Sequence, residues 1–246
     1  MFTFKIKMQY LIHKAADRGQ ANFGWLKSHH SFSFGSYYDP NKMQFGALRV
    51  LNDDWVEAGA GFPRHGHRDM EIVSIPLSGD LKHEDSTGTS AVIRSGDVQV
   101  MSAGTGIEHS EFNASEDKSV AFLQIWVMPR ERGVAPRYQQ VSLPEPFPAQ
   151  RWVQLVSPNE GAEGVFVHQD AWFFMAELGE NQQLSYVLQR PKTHGVYLFV
   201  LEGELNAGEL ALSRRDAAGI WEVDEFTVRA NSVAKVLAIE VPLQPN

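Results

Sequence analysis

The sequence predicts an all-β fold made of two similar units in tandem. Three observations carry that expectation: short apolar runs bounded by turn residues, a proline-rich break near the middle, and a faint repetition of the first half in the second. The runs GALRVLNDD, MEIVSIPLSG, SAVIRSGDVQVMSAG and SVAFLQIWVMP are rich in Val, Ile, Leu and Phe and are bounded by Gly, Asp, Asn and Ser, as strands are. Little of the chain keeps a 3.6-residue period. Strands at this spacing suggest a sandwich or barrel, and closing the sheet also removes its exposed edges. Immediately after Pro129, the stretch Arg130–Pro148 holds Pro136, Pro144, Pro146 and Pro148, which is linker composition. It places the boundary between a first unit at residues 1–135 and a second at 136–246.

The repetition rests on two anchors in the same order. LSGDLKHED around Gly79 resembles LEGELNAGE around Gly203, and SVAFLQIWVMP from Ser119 resembles SVAKVLAIEVP from Ser232. Such spacing suggests a duplicated β unit. The anchors lie 40 residues apart in the first copy and 29 in the second, so the second has lost a segment. The loss falls in the interval between the anchors that, in the first copy, contains Ser102 to Asn113.

Composition narrows the function. A chain of 246 residues with 43% hydrophobic and 21% charged residues can bury roughly 70 to 75% of its unfolded surface. The absence of cysteine excludes disulfides, thiolate metal sites and cysteine nucleophiles, so any metal must be held by nitrogen and oxygen. Thirty acidic residues against 22 basic ones give a formal charge of -8, which repels a phosphate backbone; no direct nucleic-acid partner is expected. No run approaches the roughly 20 apolar residues of a membrane span. Lys5 and Lys7 interrupt the amino terminus before a signal h-region forms, so the expected location is cytoplasmic. Met8 reads equally well as a start, leaving the first seven residues as an extension.

The chemistry sits among four of the nine histidines, between residues 65 and 109. His65 and His67 are two apart, so on a strand both imidazoles share a face. His109 and Glu111 form a second such pair. Two pairs on neighbouring strands make a site of three imidazoles and one carboxylate, a donor set suited to divalent Fe, Ni, Cu, Co, Mn or Zn. It would leave the ion with net charge +1 and, in octahedral geometry, two adjacent open positions. Glu71 is four residues beyond His67, about 13 Å along an extended strand, which favours an outer role or a salt bridge. His83 sits beside a turn that Asp85 and Ser86 can cap, and a turn role is expected for it. His29 and His30 are read as packing residues, and His13, His168 and His194 as structural. Aligned on the glycine anchor, His65, His67 and Glu71 fall opposite Gln189, Pro191 and Gly195, so the second unit is expected to have no such site. Phe62, Met101, Phe112 and Trp126 flank the ligand segments, either lining an apolar pocket or packing in the core.

The segments GWLKSHHSFSFGSYYDP, FGALRVLNDDWVEAGAGFPRHGHRDMEIVSIPLSGDLKHEDSTG, VMSAGTGIEHSEFN and LQIWVMP resemble the pirin family of the cupin superfamily, densely over residues 20 to 140. The resemblance implies two tandem cupin barrels of the double-stranded β-helix, or jelly-roll, type packed face to face, with metal in the first. Gly59, His65, His67, Glu71 and Gly79 resemble the first cupin motif, and Gly96-Asp97 through Gly104 to His109 and Asn113 the second. His109 lies two positions later than the general pattern, and Ser102 replaces a proline; both departures are pirin-like. The resemblance implies His65, His67, His109 and Glu111 as ligands, with Glu71 outside them, and Fe(II) as the metal, one ion per chain. It also implies quercetin 2,3-dioxygenase activity on a small aromatic substrate and O2. A flavonol 3-hydroxyl and 4-carbonyl would fill the open positions, and Glu111 would take the hydroxyl proton. The alternative is a metal-binding, redox-responsive regulator acting through a protein partner, as eukaryotic relatives resemble. Two facing domains are expected to form a monomer.

Overall fold

A computed structural model describes residues 8–244; the expectation for residues 1–7 lies outside the described residues. The first half of the chain contains β1 (Gln9–His13), a 3₁₀ turn at Ala15–Asp17, β2 (Gly19–Asn22), β3 (Leu26–His30), β4 (Leu48–Val56), β5 (Gly61–His67), β6 (Glu71–Ser78), β7 (Leu81–Asp85), β8 (Ser90–Ile93), β9 (Asp97–Ser102), β10 (Ile107–Asn113) and β11 (Val120–Val127). The second half contains β12 (Arg137–Ser142), β13 (Val153–Ser157), β14 (Val165–Phe166), β15 (Trp172–Leu178), β16 (Gln183–Val187), β17 (His194–Glu202), β18 (Glu204–Ala207), β19 (Leu210–Ser213), β20 (Ala217–Trp221), β21 (Glu225–Ala230) and β22 (Ala234–Pro242). No helix among the described residues is long and apolar enough to cross a membrane.

These strands make two barrels of the same plan. The first joins a large sheet, β12-β9-β6-β11-β4-β3-β2, to a small one, β5-β10-β7-β8. The second joins β1-β20-β17-β22-β15-β13-β14 to β16-β21-β18-β19. Strand for strand the orders correspond, so the duplication inferred from the anchors is visible in topology. Gly79 and Gly203 both have positive φ, 71° and 79°, and a Cβ at either would collide with the backbone of the second anchor, at Ser119 and Val233 respectively. A left-handed turn pressed against a neighbouring strand explains glycine at both positions.

One expectation changes here. Hydrogen bonding does not follow a division at residue 135: β1 pairs with β20 of the second barrel, and β12 pairs with β9 of the first. Each barrel thus completes its large sheet with a strand from the other's stretch of sequence. The residues missing from the second copy do lie between the anchors, and no whole strand is lost with them. β21 occupies the place of β10, and the shortening is spread over several turns and strand ends.

The two large sheets face each other. Val73, Ile75, Leu123 and Ile125 of the first pack with Phe173, Tyr197, Leu237 and Ile239 of the second in one continuous core. Alternate residues of the same strands turn inward to their own barrel, so Ile72 and Phe122 belong to separate clusters. Strands covered on both faces need apolar residues at nearly every position, which is why β6 and β11 are apolar except at Glu71, Ser74, Ser78 and Gln124. The small sheets, wet on one side, alternate instead: β21 is exposed and buried in turn along EFTVRA.

Because the shared core joins the barrels, Leu123→Ala is expected to lower stability by about 2–5 kcal/mol in a single urea transition. Separate transitions reported by Trp126 and Trp221 fluorescence would contradict this. A second prediction concerns Glu71, which is fully buried at the barrel junction. Burial raises its carboxyl from an ordinary 4.5 to about 7, against lowering hydrogen bonds from Ser102 and His168. The folded state therefore holds the proton that the unfolded chain releases, and stability falls as pH rises from about 4.5 to 7. In the metal-free protein Glu71→Gln should flatten that fall by up to about 3 kcal/mol, measured as urea midpoints across this range.

Candidate metal centre

β5 and β10 are antiparallel neighbours, with His65 opposite His109 and a register shift before Glu111, which faces Phe62. The irregularity is a bulge, a device that re-aims side chains. Along β10 the residues alternate, so His109 and Glu111 both turn into the barrel while Glu108 and Phe112 face out. The donor atoms of His65, His67 and His109 lie within 4.8 Å of one another, and so do those of His83, His109 and Glu111. His109 is common to both groups. The rings of His65 and His67 are centred 4.5 and 4.9 Å from that of His109. Imidazoles ligating one ion at about 2.0–2.1 Å need only modest ring rotations from this arrangement.

The residues fit a cation for a reason internal to the structure. His109 is 1% exposed, yet neither ring nitrogen has a hydrogen-bond partner among the described residues. Leaving such a group unsatisfied costs about 1–3 kcal/mol, and a bound ion would supply the missing partner. Burial, then the neighbouring imidazoles of His65, His67 and His83, drives the pKa of His109 far below the ordinary histidine range. Burial and His65 lower His67 to about 4. Both rings are therefore neutral near pH 7, the form that ligates metal. Glu111 is also buried; its Oε2 accepts from Gln124 Nε2 at 2.7 Å, and Ser74 Oγ lies 3.1 Å from its Oε1. Burial first, and Asp54 as well, raises its carboxyl to about 7.

These donors open on a narrow pocket of about 70 Å³, walled by Phe34, Phe62 and Trp126 and floored by Asn52, Asp54 and Gln124. Of the four flanking apolar residues, Phe62 and Trp126 line it. Met101 instead packs with Ile72, Ala103 and Ile107, and Phe112 points outward, 37% exposed. Glu71 lies outside both donor groups, its Oε2 accepting from Ser102 Oγ at 2.8 Å and from the His168 amide at 3.3 Å.

His83 departs from its expected turn role. It lies on β7, fully buried, with Nε2 3.0 Å from Asp85 Oδ2 and its ring 5.3 Å from that of His109. Asp85 makes the turn instead, its Oδ1 accepting the amides of Thr87 and Thr89. The alternation of KHED, which puts His83 and Asp85 on the buried face, was the available signal. The other histidines serve packing and local contacts. His30 packs edge-on to Phe34, His13 Nδ1 meets the Tyr197 hydroxyl at 2.9 Å, His194 Nε2 meets the Asp170 carbonyl at 2.8 Å, and the His168 ring lies edge-on to Phe166.

The second barrel is an internal control. Matching strand pairings place Phe226 and Val228 where the first barrel has His109 and Glu111, and Ala207 where it has His83. Leu198, Ala218, Ala238, Phe174 and Ala176 replace Ser74, Gln99, Gln124, Asn52 and Asp54. The polar interior changes as a set. Asn52, Asp54, Ser74 and Gln124 thus belong with the donors, although motif reasoning passed over them. Their signal was a polar residue at an inward position of an apolar strand.

Residues 12–127 match the protein family described as Pirin, and residues 154–241 match one described as Quercetinase C-terminal cupin domain. The chain is 41% identical over 232 residues to a protein of Escherichia coli (strain K12) named quercetin 2,3-dioxygenase, covering 94% of this chain and 98% of that one. It is 37% identical over 223 residues to a pirin-like protein of Caulobacter vibrioides, covering 90% and 95%. Among solved structures, bacterial pirin YhhW in complex with nickel(II), from Escherichia coli, superposes with a TM-score of 0.89 at 39% identity, covering 95% of this chain and 99% of that one.

Elemental analysis after gentle purification tests the donor set. Wild type is expected to carry about one divalent ion per chain, and His109→Ala to bind metal at least about 100-fold more weakly, since a lost ligand costs more than a lost outer partner. His83→Ala should keep the ion.

Proposed function

The chain belongs to the pirin family, and from that premise we propose that it is a metal-dependent dioxygenase that opens flavonol-type rings with O2 at a centre held by His65, His67, His109 and Glu111. One observation carries the proposal: three imidazoles and a carboxylate line an aromatic-walled pocket in one barrel, and Phe226 and Val228 stand in place of His109 and Glu111 in its duplicate. The donor set suits Fe(II), the metal we assign, and equally nickel(II), which the similar bacterial structure contains. When bound, such an ion supplies the Lewis acidity that acidifies an enolic hydroxyl and the electronic route by which the ring meets O2.

The chain's own residues do the rest. Phe34, Phe62 and Trp126 exclude water and grip an aromatic edge; Trp126 is itself held edge-on by Phe34 and His67 at 5.4 and 5.0 Å. Glu111 takes the proton of the 3-hydroxyl at a carboxylate oxygen. Its raised affinity for protons, caused by burial, suits it to accept one near neutral pH. Ser74 and Gln124 fix the direction of that carboxylate. Transfer of the proton from the 3-hydroxyl to Glu111 turns a neutral flavonol into a monoanion whose charge replaces the one the carboxylate gives up, so the net charge of a loaded site is unchanged by the step. Both oxygen atoms of O2 then enter the cleaved ring, and carbon monoxide leaves. A pocket of about 70 Å³ holds little more than two waters' volume, so only the hydroxyl–carbonyl edge enters. The remaining rings lie across Phe34 and Phe62.

Oxygen uptake and bleaching of quercetin by the metal-reconstituted protein test this. Glu111→Ala and His65→Ala should each lower kcat/KM by at least about 100-fold. Rates equal to wild type in both would contradict it.

A further inference from the structure

A second cavity, of about 370 Å³, lies on the other side of β4, at the seam between the barrels. Its size is within the range of small-molecule sites, roughly 300–1,000 Å³. Its floor is the outward face of the first large sheet, where Lys27 pairs with Trp55 and His29 with Asp53 across β3 and β4. Arg18 enters from the segment between β1 and β2, and Arg214 and Arg215 from the turn between β19 and β20. In a chain of net charge -8, a cavity lined by four cations is an exception.

The cations exceed the carboxylates that answer them. Arg18 and Arg215 share one partner, Asp53 Oδ2, at 3.4 and 2.8 Å. Arg214 pairs with Glu202 at 2.6 Å, which also lies 3.8 Å from Arg215. Lys27 makes no ion pair among the described residues; its ammonium rests over the Trp55 ring at 4.6 Å. Asp54 also borders the cavity but is 5% exposed and lines the pocket on the opposite face of β4. Two carboxylates therefore face four cations. Donors are also left over: Arg215 Nη2 has no hydrogen bond among the described residues, and Arg18 Nε is buried without a partner. Arg215 holds a left-handed conformation at φ 67°, where the equivalent turn of the first barrel has Gly96 at φ 93°. An arginine is kept where glycine would be easier.

We propose that this seam is a binding site for a small ligand bearing a dianionic oxyanion group, a phosphate monoester or a dicarboxylate, held by Arg18, Lys27, Arg214 and Arg215. Guanidinium forks match such groups in charge and geometry. The site lies apart from the metal ligands and needs none of them.

Calorimetric titration of the full chain with inorganic phosphate, and separately with succinate, tests it against sodium chloride at matched ionic strength. Saturable binding of at least one dianion is expected, weakened tenfold or more in the double variant Lys27→Ala/Arg214→Ala and unchanged in His65→Ala. Both substituted side chains of the double variant are exposed, and Lys27→Gln alone should weaken binding in the same direction. Binding of neither dianion, binding indifferent to Lys27 and Arg214, or binding lost in His65→Ala would overturn the proposal. Quercetin turnover is a separate measurement, so its failure would leave this result standing.

Discussion

His109 lies in the interior of the first barrel with both ring nitrogens unpartnered, flanked by three further imidazoles and, two residues on, a buried carboxylate. Buried polar groups are ordinarily satisfied, and the exceptions call for a cause. Here they are concentrated: Asn52, Asp54, His83, Gln99, His109 and Trp126 each present a buried polar atom without a partner, whereas no residue of the second barrel does so among those described. The interior of the first barrel is arranged around a guest, and the positions of β5, β7 and β10 follow from bringing its donors to one place.

The duplicated scaffold explains how such an interior is tolerated. The second barrel fills the positions of His83, His109, Glu111, Asn52, Asp54, Ser74, Gln99 and Gln124 with Ala, Phe, Val and Leu, giving an apolar cluster from Ala176 to Ala238. The large sheets of both barrels share one apolar core, and each sheet is completed by a strand from the other half. The stability of the apolar barrel is thereby coupled to the polar one. A site that would weaken an isolated barrel is carried by a partner of identical plan with a conventional core.

Much of this was legible in the sequence. The strands, the tandem repeat and the pairs His65/His67 and His109/Glu111 could be read because each depends on local spacing: period two places side chains on one face, and Gly79 and Gly203 mark left-handed turns against Ser119 and Val233. What was not legible depends on pairing between distant strands. The exchange of β1 and β12 has no local signature, since neither QYLIH nor RYQQVS carries a pattern that favours one sheet over the other. His83 was misplaced because the turn chemistry of Asp85 and Ser86 masked the alternation that buries it. Asn52, Asp54 and Gln124 acquire meaning only when β4 and β11 are seen to line the same interior. The cationic seam likewise joins residues some 200 positions apart in the chain, Arg18 and Arg215, which meet only once the barrels are packed.

The most direct test of the central claim is anomalous scattering from a crystal of the metal-loaded protein. A single strong peak is predicted in the first barrel, at bonding distance from His65, His67, His109 and Glu111, with none in the second. A peak held by His83 in place of His65 and His67, or no peak in the first barrel, would contradict it.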